Sequence, residues 1–163
     1  TLRFGVSQIV LDAADVPRLA SLMKPQAADG SPQSDDPICE GAAHTLLCLS
    51  NSVEKCQEIY ASNGLAGLVG GLSRGVTVAT PSLRCIHQIV RLKEDRFYQE
   101  VIAAGIVPVL VDAVRDGLCG KGVATGGNQS AEVLEMLLQN DASVRDKALE
   151  LGLVDSAAVP LRQ

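Results

Sequence analysis

AADVPRLASLM (13–23), NGLAGLVGGL (63–72) and AAGIVPVLVDAV (103–114) rhyme with one another, and LGLVDSAAV (151–159) is a weaker fourth copy. Each sets a small residue ahead of an apolar run that opens near a proline or its stand-in. The small residues are Ala14, Gly64, Gly105 and Gly152, spaced 50, 41 and 47 apart. Self-similarity at this period is the mark of helical repeats that cannot bury their apolar faces alone and therefore stack on their neighbours. The expectation is an all-α fold, a right-handed α-solenoid of about three to four repeats.

Composition agrees with that expectation. Hydrophobic residues make up 47% of the 163 residues but aromatics only 2%, with no Trp. A core of Leu, Val, Ile and Ala suits helices packed closely through small residues better than a sandwich of strands. The net charge of −5 argues against general nucleic-acid binding, which needs a basic footprint. Charge is uneven, though: residues 59–99 are basic between acidic ends. The cysteines (Cys39, Cys48, Cys56, Cys85, Cys119) are odd in number and lack C-x-x-C spacing, which predicts a reducing, cytoplasmic setting with no disulfide framework or zinc module. No apolar run reaches the length of a membrane span, and no signal peptide opens the chain. Because it starts at Thr and stops within repeat-like text, residues 1–163 read as one segment cut from a longer array. Its uncapped ends are expected to favour self-association.

A first helix is expected at 54–62 and 95–104, a glycine corner at Gly64 and Gly105, and second helices at 65–73 and 106–115. Residues 38–51, 81–93 (behind a starting proline) and 129–139 carry the clearest helical periodicity and form the third helices. Residues 141–151 read as a further first helix, capped by Asp141 or Ser143, ahead of the Gly152 corner. The Pro-, Asp- and Ser-rich stretch 25–37 and the glycine-rich stretch 117–128 read as flexible loops.

EVIAAGIVPVLVDAV (100–114) resembles the armadillo-repeat pattern of an apolar helix end, a small residue, glycine, two apolar residues, proline and a Leu-rich helix. GAAHTLLCLSN (41–51) resembles that family's third helix, and HEAT repeats are the near relatives. The resemblance implies that the third helices line a concave groove for a partner. In peptide-binding members one Trp and one Asn per repeat project into it. Here the matching places hold His44, His87 and Glu132, and then Cys48, Arg91 and Met136, a departure that speaks against nuclear-import cargo recognition.

The groove offers instead a basic stripe. Arg84, His87 and Arg91 stand at i, i+3 and i+7 on one helix face, with His44 expected beside His87. Guanidinium groups there suit carboxylates or a phosphate, with the imidazoles adding charge only when protonated. The bland alternative is a solvated face in which Arg84 or Arg91 pairs with Glu40 or Glu132. His44 and Cys48 lack an orienting acid, which argues against nucleophilic catalysis, and with His87 they lack a fourth metal ligand. Gly120-Lys121-Gly122 departs from the phosphate-loop pattern. The expectation is a non-enzymatic protein-interaction module, a scaffold or adaptor, without cofactor or metal, binding an acidic or helical partner segment. The alternative is a structural spacer within a larger regulator, of the kind the resemblance suggests: a small-GTPase regulator, a formin regulatory domain or a chaperone cofactor.

Overall fold

In the segment 76–90, Ser82, Cys85, Ile86, Ile89 and Val90 are buried, a spacing of three and four residues that only a helix brings to one side. The same stripe recurs as Cys39, Ala42, Ala43 and Leu46, and again as Ser130, Val133, Leu134 and Leu137. The structure, a computed structural model, describes residues 15–23, 37–118 and 127–153. It is all-helical among them: α1 (Asp15–Leu22), α2 (Pro37–Leu49), α3 (Val53–Ala61), α4 (Gly64–Gly71), α5 (Val76–Val90), α6 (Asp95–Ala103), α7 (Ile106–Leu118), α8 (Gly127–Asn140) and α9 (Ala142–Glu150). The striped helices pack in series, α2 on α5 and α5 on α8, while α1 and α4 close the other side of α2 and α5. One continuous aliphatic core results, with Phe97 its largest fully buried side chain.

The corners follow from backbone chemistry. Gly105 (φ 85°) and Gly152 (φ 79°) adopt left-handed angles that a Cβ would oppose. At the first corner the expectation needs correcting: Asn63 (φ 55°), not Gly64, makes the left-handed step. Asparagine tolerates that region better than other side chains, so Gly64 is free to open α4. It is glycine there because a Cβ would lie 2.7 Å from Ile59 Cγ2 and 2.8 Å from the Ile59 carbonyl oxygen. The left-handed residues at these corners are thus Asn63, Gly105 and Gly152, and Lys93 (φ 57°) takes the same angles between α5 and α6. Ala14 lies outside the described residues. Across the Gly105 corner the axes of α6 and α7 bend by 81°.

Pro81, expected to start its helix, is not its first residue. α5 begins at Val76, five residues earlier, after Gly75. Pro81 removes one donor to the Thr77 carbonyl, but its ring is buried, as are Val78 and Leu83 around it, and that packing holds the helix through the break. Loop limits shift as well. α2 already includes Pro37, and α7 and α8 run through Leu118 and from Gly127, since a glycine costs a helix only about 1 kcal/mol. The remainder of both expected loops, 25–36 and 119–126, lies outside the described residues.

α4 owes its tight seat to glycine. Gly64, Gly67 and Gly71 are buried on one face, with Gly67 against Met23 and Ala20 and Gly71 against Met23 and Ser82. Among the described residues, no single helix is long and apolar enough to cross a membrane.

Candidate functional site

The stripes that bury one side of α2, α5 and α8 dictate what their other side presents. Matching the buried positions puts Gly41, Arg84 and Glu132 at one level, His44, His87 and Glu135 at the next, and Cys48, Arg91 and Gln139 at a third. On α8 this moves the expected register by one turn: Glu135 and Gln139, rather than Glu132 and Met136, correspond to His87 and Arg91. Met136 is half-buried and packs against the core, so it belongs to the interior more than to the surface. Periodicity alone tolerates this slip, because apolar residues at 133, 134, 137 and 138 allow two stripes and only contact with α5 and α7 selects one.

Arg84 is exposed on α5 and Arg91 at its C-cap, and His44 and Cys48 are exposed on α2. Among the described residues, none of these four side chains makes a hydrogen bond or ion pair. His87 leans toward α8, where its Nε2 lies 2.7 Å from Glu132 Oε2. Its side chain is 13% exposed and that of Glu132 57%. The imidazole therefore sits in the seam between the helices, and the carboxylate reaches in from outside. Glu132 is thus taken by His87, and neither arginine pairs with Glu132 or Glu40. Glu135 stays on its own helix, accepting from Gln139 Nε2 at 3.1 Å.

Gln88, one residue on, leans the opposite way. Its Nε2 donates to Asn51 Oδ1 at 3.3 Å and its Oε1 accepts from Ser50 Oγ, joining the C-terminal ends of α2 and α5. That clasp had no signal in the sequence, since all three side chains are ordinary polar residues near helix ends. The same holds for the stacking of the Arg96 guanidinium, 5.2 Å from the Tyr60 ring and 5.0 Å from the Phe97 ring. It holds too for Arg145, whose Nε donates to the Leu138 carbonyl at 2.6 Å at the end of α8.

Below the surface the thiols are shielded. Burial pushes Cys85 up to about 12, with the neighbouring Cys56 adding to the rise and a bond from Ser50 opposing it. Burial, then the Glu94 charge, pushes Cys56 up to about 11, and its Sγ donates to the Ser50 carbonyl at 3.2 Å. Thiols held protonated this firmly are packing groups rather than nucleophiles. His44 and Cys48 share one helix face but are not hydrogen-bonded to each other. Among the described residues no three His, Cys, Asp or Glu side chains converge as metal ligands would.

No family model matches the chain, and a search of curated proteins finds no match. Its functional reading therefore rests on the geometry of α2, α5 and α8.

Proposed function

We propose that this chain is a stretch of armadillo-like α-solenoid and serves as a non-enzymatic protein-interaction module, holding a partner segment against the surface made by α2, α5 and α8. One observation carries the reading: two arginines stand exposed on α5 and its C-cap without an acidic partner among the described residues, although an acid close by, Glu132, is engaged by His87. Surface cations usually cost little and contribute little. Two of them flanking a seam, on the face left open by three consecutive helices, form a footprint a negatively charged segment can use.

The test is capture of partners by the wild-type chain, by a variant with Arg84, His87 and Arg91 all replaced by alanine, and by Lys147→Ala on the exposed side of α9 as control. Proteins retained by the wild type and the control but lost by the triple variant support the reading. Capture that is equal for all three places the contact elsewhere and refutes it. Binding through exposed charges is screened over about 8 Å at physiological ionic strength, so added salt should release these partners.

A further inference from the structure

Arg84 and Arg91 are seven residues apart on one helix, which puts them two turns and about 10 Å apart along its axis, on the same side. Between them the face of α5 is already committed: His87 turns to Glu132 on one flank, and Gln88 turns to Ser50 and Asn51 on the other. An anion arriving at α5 meets two separate cationic posts rather than a single basic patch. The flanks differ in charge. Toward α2 the exposed side chains at matching levels are His44 and Cys48, whereas toward α8 they are Glu132, Glu135 and the neutral Gln139.

Among the described residues the large apolar side chains that remain exposed are Leu22, Ile38, Val53, Val76 and Leu149, and none lies between Arg84 and Arg91. A docking helix would find nothing there for an apolar stripe to bury. An extended segment has no such requirement. In the polyproline II conformation residues i and i+3 share a face about 9 Å apart, close to the separation of the two arginines. In a pleated strand, i and i+3 point to opposite faces.

We propose that α5 reads a partner segment of the form acid-x-x-acid in an extended, polyproline II-like conformation. The segment lies along the helix, with one carboxylate on Arg84 and the next on Arg91. It leans toward α2 because Glu132 and Glu135 repel it from α8, so Glu132 limits affinity as well as holding His87. This rests on the reading of the α2–α5–α8 surface as the partner-binding face and adds to it the spacing, conformation and direction of what binds.

The experiment is fluorescence anisotropy at low ionic strength, using a Gly/Ser/Pro peptide that carries a neutral dye and aspartates at i and i+3. Its controls are the same peptide with the aspartates at i and i+2, and with both replaced by asparagine. Arg84→Ala and Arg91→Ala should each weaken the i, i+3 peptide about two- to fivefold, the upper range for one exposed ion pair. The double variant should bind it no better than wild type binds the asparagine peptide. Glu132→Gln keeps an acceptor for His87 but removes the charge, and should tighten binding about twofold. Equal binding of the i, i+2 and i, i+3 peptides, indifference to the double substitution, or weaker binding by Glu132→Gln overturns the proposal. If that happens while partner capture still depends on Arg84, His87 and Arg91, the spacing rule alone fails. If capture is indifferent too, both readings fail.

Discussion

Gly67→Ala and Gly41→Ala are the same chemical change in two helix interiors, and the packing around them predicts opposite signs. A Cβ on Gly67 would lie 2.9 Å from Met23 Cβ and 3.2 Å from the Ala20 carbonyl oxygen. Comfortable carbon–carbon separation is about 3.5–4.0 Å, so α1 and α4 must part by more than half an ångström. Both obstacles sit at or beside backbone, which cannot rotate away. Overpacking of this kind typically costs about 1–3 kcal/mol, and the better helix propensity of alanine returns only about 1 kcal/mol. The net is a loss of about 1 kcal/mol. Gly41 has nothing within 4 Å of an added Cβ and lies on the exposed side of α2, so only the propensity gain of about 1 kcal/mol remains. The unfolded chain loses similar freedom in both cases, so the difference between the variants isolates the packing contribution. In urea titrations followed by far-UV circular dichroism, the midpoint should rise for Gly41→Ala and fall for Gly67→Ala. At about 2–4 °C per kcal/mol for a chain of this size, the melting temperatures should separate by about 4–8 °C. If Gly67→Ala stabilises as much as Gly41→Ala, α1 and α4 do not approach as closely as described, and the role given to small residues in this core is wrong.

Among the described residues Ser82 Oγ is buried without a hydrogen-bond partner, so Ser82→Ala should raise stability by about 1 kcal/mol in the same titration; a decrease would mean the hydroxyl has a partner. Under native conditions an alkylating reagent should label exposed Cys48 well before buried Cys39, Cys56 and Cys85, as peptide mapping by mass spectrometry would show. The raised thiols keep their protons in the folded chain while unfolded thiols ionise near their usual value of 9.0. Their contribution is therefore complete below that pH and lost as pH climbs toward about 12, and alanine at Cys56 and Cys85 should flatten the alkaline decline in stability. The carboxylate of Asp141 is held below its ordinary range first by the Ser143 hydroxyl and then by the Ser143 amide, whose N–H it accepts at 2.8 Å at the start of α9. A lowered carboxylate stabilises above its unfolded pKa and ceases to as pH falls through its folded one. Asp141→Ala should therefore lower the melting temperature at neutral pH, with the deficit shrinking in acid. A pH-independent deficit would refute that cap.

Much of the helical framework was legible from local pattern. Apolar spacing marked α2, α5 and α8 to within a few residues at most ends, because burying one side of a helix constrains residues only three and four apart. Gly105 and Gly152 were readable as corners for the same local reason, a backbone angle that other residues resist. Where two residues could serve, the sequence was silent. Asn63 and Gly64 both suit a left-handed turn, and only the approach of Ile59 decides that the glycine is needed inside α4. Pro81 carries a stop signal that the packing of Val78 and Leu83 overrides. The candidate site divides in the same way. That Arg84, His87 and Arg91 share a face follows from helical geometry. That His87 meets Glu132 while neither arginine finds an acid among the described residues depends on how far α8 is shifted along α5. Side chains on different helices meet according to the stagger and separation of those helices. Both are set by the fit of the buried stripes, by glycines that let α4 approach α1, and by clasps such as Gln88 with Asn51. These quantities belong to the assembled core, and the sequence of no single helix contains them.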